Sequence, residues 1–161
     1  MNNINDQVRS IGDVTIMVER LGYEEKYLDY QNTVLLTGRR ALTKSLANDL
    51  TNEGGYDFYI TRMLFGDGGT QSGVKKFVDA GRNGLFGTTQ VSKPVLANID
   101  SSIPTQAIFT SVIKFDEAVG VVINEMALQM ANEDLYSMTT FPDLSKTSDM
   151  QITFNWRLNF I

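Results

Sequence analysis

Met150-Gln151-Ile152-Thr153-Phe154-Asn155-Trp156-Arg157-Leu158-Asn159-Phe160-Ile161 is the stretch that decides the fold. Ile152, Phe154, Trp156, Leu158 and Phe160 alternate with Gln151, Thr153, Asn155, Arg157 and Asn159. Side chains of a β-strand point to opposite faces in turn, so this period-two pattern predicts a strand with one apolar and one polar face. The apolar face carries three aromatic rings, among them the single Trp of the chain. Rings of that size stabilise a fold mainly when they leave water. The stretch is therefore expected to be a core strand of an antiparallel sheet.

Working outward, other segments share the signal. Asp13–Leu21 reads as a strand with Val14, Ile16 and Val18 on one face, broken by Gly22 and returning over Tyr23–Tyr30. Asn32–Leu36 is a short apolar continuation. Tyr56–Phe65, Val91–Ile99 and Ala107–Phe115 read as further strands, with Pro94 confining the second to an edge or an end. Val121–Met130 splits into Val122, Asn124, Met126 and Leu128 on one face and Val121, Ile123, Glu125 and Ala127 on the other. Leu135–Phe141 returns, Pro142–Lys146 links onward, and the last third is expected to form a four-stranded meander. Between these, the period changes. Ala41, Leu42, Ser45, Leu46 and Asp49 or Leu50 recur at three- and four-residue spacing after Thr37-Gly38, which predicts an amphipathic helix over Arg39–Leu50, stopped at Asn52–Gly55. Gly66-Asp67-Gly68-Gly69-Thr70 then opens a long glycine-rich loop, punctuated by Gly73, Gly81, Gly84 and Gly87 up to about Gln90.

The expected architecture is mainly β: an antiparallel β-sandwich with one amphipathic α-helix and a long glycine-rich loop. Its 161 residues form one domain, with residues 1–12 as a flexible or partner-ordered arm and 66–90 as an interface loop. Met1–Gln7 holds no apolar run of signal-peptide length, and no stretch reaches the roughly 18–20 apolar residues of a membrane helix. The expectation is a protein made in the cytosol that stays there or leaves by lysis or inside an assembly.

Composition restricts the chemistry. The chain has no Cys and no His, which removes disulfides, thiolate nucleophiles, the commonest general base and every Ser-His or Cys-His triad. A net charge of −5 and a pI near 4.7 argue against non-specific binding of phosphate backbones, despite the basic spot Arg39, Arg40 and Lys44. The Gly66–Lys75 stretch is not a Walker loop, because Val74 rather than Lys follows Gly73. Nor is it a dinucleotide fingerprint, since Gln71 stands at the third glycine. Asp67 lacks the repeated acidic neighbours of a calcium loop. No cofactor and no metal are expected.

Glu125 is the charge that asks for an explanation, because it lies mid-strand between Ile123 and Ala127. On a core face it needs a partner, as an unpaired buried carboxylate is very costly. The expected one is an ion pair with Lys146, Arg62 or Arg157 that fixes strand register; a pKa-shifted catalytic acid is the competing reading. Asp116 and Glu117 are an adjacent acidic pair in a turn, expected to be solvated. Asp67, Phe77, Leu85 and Phe86 are the candidate interface residues of the 66–90 loop. Its apolar side chains either fold back on the core or anchor a neighbouring subunit, and in the docking reading the loop gains protease resistance only with its partner.

The order of several short segments resembles small virion structural proteins of tailed bacteriophages. It is similar to the N-terminal attachment domain of phage tail-collar fibre proteins, in which a Gly-Asp-Gly-Gly segment and a later Ile-x-Glu-x-x-Leu segment recur. Here these are Gly66-Asp67-Gly68-Gly69 and Ile123-Asn124-Glu125-Met126-Ala127-Leu128, with Ala127 where that family has Gly. The Gly38-Arg39-Arg40-Ala41-Leu42 helix start, Leu85-Phe86-Gly87, Lys146-Thr147 and the Ile152–Phe160 strand complete the order. The resemblance implies a non-enzymatic virion component, assembled in the host cytoplasm. It implies several copies docking on other virion proteins at the neck, collar or baseplate side, with no nucleic acid or membrane partner. A capsid decoration protein is the alternative within that class. A carbohydrate-binding module that stacks sugars on an outward Phe154–Trp156–Phe160 stripe is the alternative outside it, and a carboxylate hydrolase is a third.

Overall fold

A computed structural model describes residues 9–22, 26–49 and 58–161. The expected arm over residues 1–8, the start of the return strand at Tyr23, the helix stop at Asn52–Gly55 and the strand start at Tyr56 lie outside the described residues. Twelve strands and one helix are seen among the rest. In chain order they are β1 (Ser10–Arg20), β2 (Lys26–Gln31), β3 (Thr33–Val34), α1 (Leu36–Leu46), β4 (Ile60–Gly66), β5 (Thr70–Gln71) and β6 (Val74–Lys75). They continue with β7 (Thr89–Pro94), β8 (Leu96–Asn98), β9 (Gln106–Ile113), β10 (Val122–Met130), β11 (Leu135–Ser145) and β12 (Met150–Phe160).

Ten strands form two antiparallel five-stranded sheets, ordered β2-β1-β12-β9-β8 and β3-β11-β10-β4-β7, and β5 and β6 make a separate hairpin. The last strand lies at the centre of the first sheet. It pairs with β1 along its full length, Val14 opposite Trp156 and Ile16 opposite Phe154, and with β9 on its other side, Trp156 opposite Phe109. Its burial alternates strictly, as the sequence predicts: Met150, Ile152, Phe154, Trp156 and Leu158 are buried and the residues between them half-buried. Trp156 is fully buried, so the stripe that could have stacked a sugar is core instead. The two sheets close face to face on these rings; Phe65 of β4 meets Phe154 with 4.4 Å between ring centroids. Antiparallel sheets packed through one apolar face each are a β-sandwich.

The expected meander is corrected. β9 and β12 belong to the first sheet and β10 and β11 to the second, so of the last four strands only β10 and β11 are joined as a hairpin. Alternation says which residues face inward but not which sheet a strand enters. The strand expected over Val91–Ile99 is two strands, with the chain crossing from one sheet to the other at Val95. Pro94 ends β7, an edge strand, where a missing N–H disrupts no ladder. Of the arm expected over residues 1–12, Ser10–Gly12 are strand instead, paired with Leu158–Phe160.

The helix starts at Leu36, earlier than expected, and no side chain caps it; the Leu36 N–H donates instead to the Ala80 carbonyl at 2.8 Å. Gly38 and Ala41 form its buried face against β11, and a Cβ on Gly38 would run into the Tyr136 carbonyl. Leu46, expected to be buried, is 90% exposed. No helix among the described residues is long and apolar enough to cross a membrane.

Candidate functional site

The second sheet is buried on both faces. Its inner face, Met63, Phe65, Met126 and Leu128, closes on the first sheet. Its outer face, Leu64, Ala127 and Met138, is covered by the chain between β4 and β7, which contributes Val78, Leu85 and Phe86 to a second apolar cluster with Leu35 and Leu135. Of the two alternatives for the 66–90 loop, Leu85 and Phe86 follow the first and fold back on the core, so the segment is largely an outer layer of its own domain. Part of it is regular. β5 and β6 pair through Ser72 and Gly73, both at positive φ, which is the two-residue turn that matches the twist of a hairpin.

Glu125 holds this layer in place. It is completely buried, and its carboxyl group accepts three backbone N–H groups. Oε1 takes Gly68 at 2.9 Å and Gly87 at 2.8 Å, and Oε2 takes Phe86 at 2.7 Å. One side chain therefore clamps both ends of the layer. The expected ion pair is corrected, because the three candidate cations are engaged elsewhere. Lys146 donates to the Phe115 and Thr147 carbonyls, Arg62 to Ser92, and Arg157 to Asp13. Burial pushes the Lys146 ammonium below its ordinary value, against the opposing pull of Asp116, Asp149 and Glu117. Backbone amides satisfy a buried acceptor as a cation does, and glycines let them approach closely.

A β-bulge supplies the second half of the clamp. The pairing of β10 with β11 slips between Ile123 and Glu125, across Phe141–Asp143. Ile123 consequently joins the inner core, while Asn124 and Glu125, which strict alternation assigns to opposite faces, both reach the 67–70 turn. The extra residues of a bulge re-aim side chains in this way. Asn124 Oδ1 accepts from the Gly69 N–H at 2.6 Å, and Asn124 Nδ2 donates to the Asp67 carbonyl, Thr70 Oγ1 and Asp143 Oδ1. Thr70 Oγ1 also donates to Asp143 at 2.8 Å. These hydrogen bonds from Asn124 and Thr70 hold the Asp143 carboxyl below the ordinary aspartate range. Sequence reasoning missed Asn124, Thr70 and Asp143 as members of the site. The available signal was Pro142 inside the returning strand, which a regular ladder does not accept.

The remaining candidates fall into place around this clamp. Asp67 accepts from the Thr88 N–H and from Gln90 Nε2, which pins the end of the layer. Leu85 and Phe86 are half-buried in the second cluster, with the Arg82 guanidinium 3.6 Å from the Phe86 ring centroid. Phe77 alone of the four is free, at 84% exposure. The segment is thus bonded to its own sheet through Glu125 and Asn124. Glu117 is not simply solvated: it pairs with Lys93 at 2.8 Å, and that bond holds its carboxyl below the usual range. No group of three or more His, Cys, Asp or Glu suited to a metal ion occurs among the described residues.

No family model, no curated protein and no solved structure matches this chain.

Proposed function

We propose that this chain is a non-enzymatic structural protein of a tailed bacteriophage virion that docks on other virion proteins at the neck, collar or baseplate side. One observation carries the reading. The two segments behind the resemblance, Gly66-Asp67-Gly68-Gly69 and Ile123–Leu128, lie far apart in sequence yet bond to each other through Glu125 and Asn124. Both motifs thus serve one physical task, which is to fix an outer layer on a sandwich. The buried acid that a hydrolase would use has its oxygens occupied by three amides of its own chain. A rigid layer presenting the exposed Phe77 suits adhesion better than turnover.

The test is immunogold electron microscopy of purified phage particles, made by cells that carry this gene, with an antibody against the chain. Label at the neck, collar or baseplate is expected. Label spread over the head would replace that placement with capsid decoration, and particles that lack the chain would overturn the proposal.

A further inference from the structure

The sequence sets glycine directly after an aspartate or asparagine at two places, Asp67-Gly68 and Asn83-Gly84. In such a pair the glycine nitrogen can attack the preceding side-chain carbonyl and close a succinimide ring, because no Cβ crowds it; this route makes asparagine thermolabile. Both pairs lie in the outer layer, and the fold treats them oppositely. Asp67-Gly68 is locked. The Gly68 N–H donates to Glu125 Oε1 at 2.9 Å, and the Asp67 carboxyl accepts from the Thr88 N–H at 3.1 Å and from Gln90 Nε2 at 2.8 Å. A Cβ on Gly68 would strike the Gly87 backbone, so this nitrogen has no room to turn. Asn83-Gly84 is open. Asn83 is exposed, and among the described residues neither its side chain, nor its carbonyl, nor the Gly84 N–H makes a hydrogen bond. Nothing lies within 4 Å of the place a Cβ on Gly84 would take.

We propose that Asn83 is a site of spontaneous covalent modification in the folded chain, through attack by the Gly84 nitrogen, and that its product loosens the adjoining end of the outer layer. The nitrogen gives its proton to solvent, the bond from Gly84 N to Asn83 Cγ forms, the Cγ–Nδ2 bond breaks and ammonia leaves. Water then opens the ring. Cleavage at Cγ leaves an aspartate at position 83, and cleavage at the main-chain carbonyl leaves isoaspartate, whose backbone runs through Cγ and is one carbon longer. Either product sets a new carboxylate beside Arg82. That guanidinium donates from Nε to the Gly84 carbonyl at 3.2 Å and from Nη2 to the Leu85 carbonyl at 2.9 Å, and it covers the Phe86 ring. The new anion competes for it, and the added carbon displaces both carbonyls. Phe86 and Gly87 follow at once in the chain, and their N–H groups are two of the three that Glu125 holds. The reaction needs no partner and stands apart from the docking reading.

The experiment ages the purified full chain in warm, mildly alkaline buffer, with and without urea, and maps its peptides by mass spectrometry and isoaspartyl methyltransferase labelling. In buffer, Asn83 is expected to be lost with isoaspartate appearing at that position, while Asp67 stays intact. In urea, isoaspartate is expected at both positions. Gly84→Ala, whose Cβ has room, is expected to melt like the wild type and to keep Asn83. Asn83→Gln, which retains the amide but would have to close a larger ring, serves as the second variant and is expected to form no isoaspartate there. Amide exchange at Phe86 and Gly87 is expected to be faster in aged wild type than in fresh wild type or in either aged variant. An Asn83 that survives ageing in buffer overturns the proposal, as does equal loss of Asn83 in a folded Gly84→Ala. So does isoaspartate forming at Asp67 in buffer as fast as in urea, or exchange at Phe86 and Gly87 that ageing leaves unchanged.

Discussion

Glu125 is buried, and the Gly68, Phe86 and Gly87 amides donate to its carboxyl group where a cation was expected. Replacing it by Gln keeps one acceptor oxygen and turns an NH2 group toward at least one N–H donor. A buried donor left unsatisfied costs about 1–3 kcal/mol. Glu125→Gln is therefore expected to lower stability by that amount, and the midpoint of thermal unfolding by about 2–10 °C for a chain of this size. Glu125→Ala, which strands all three amides, is expected to cost more; a melt unchanged by either substitution would show that the clamp contributes little. Asp143 makes the second prediction. Its carboxyl is held low by the Asn124 and Thr70 hydrogen bonds, so the folded group stays ionised to lower pH than the unfolded one. The stability it adds is fully present above the ordinary aspartate pKa and is lost as pH falls through the lowered folded value. An acid titration followed by NMR is expected to show the Asn124 side-chain amide shifting with the Asp143 carboxyl, and below the usual aspartate midpoint.

At the scale of elements, two glycines of the outer layer fail for different reasons when given a side chain. Gly73 has φ +76° and open space around its missing Cβ, so Gly73→Ala is expected to cost only the backbone term, about 1–2 kcal/mol. A Cβ on Gly69 would strike the Asn124 carbonyl, which is backbone and cannot swing away. Gly69→Ala is expected to destabilise more than Gly73→Ala in urea titrations and to expose the backbone amide at position 69 to exchange; the reverse order would contradict the packing of the turn on β10. The strands were readable wherever one face is core and the other is wet, as in β1 and β12. They were less readable in the second sheet, because a sheet covered on both sides loses its alternation: β10 is buried at seven of nine positions. The clamp was half legible. Glu125 stood out as a mid-strand charge in need of partners. Its partners are main-chain N–H groups, which no side-chain pattern announces, and the bulge that brings Asn124 beside it left only Pro142 as a trace.

Across the whole molecule, the last strand ties the first sheet together. β12 lies between β1 and β9, and the Arg9 and Ile161 backbones exchange hydrogen bonds at the end of that ladder. Removing Met150–Ile161 is expected to leave β1 and β9 without a common neighbour and the facing rings in water, giving an insoluble product; a soluble, cooperative fold would show that the core lies elsewhere. The sandwich so closed is the base on which the second sheet carries its outer layer, and the central claim is that Glu125 fastens this layer in the isolated chain. Amide hydrogen exchange of purified wild type and Glu125→Ala tests it most directly. In the wild type, Gly68, Phe86 and Gly87 are expected to exchange slowly without any partner, and in the variant those three are expected to become fast while the β1–β12 amides stay protected. Fast exchange at the three amides in the wild type, or slow exchange that survives the loss of Glu125, would contradict the account.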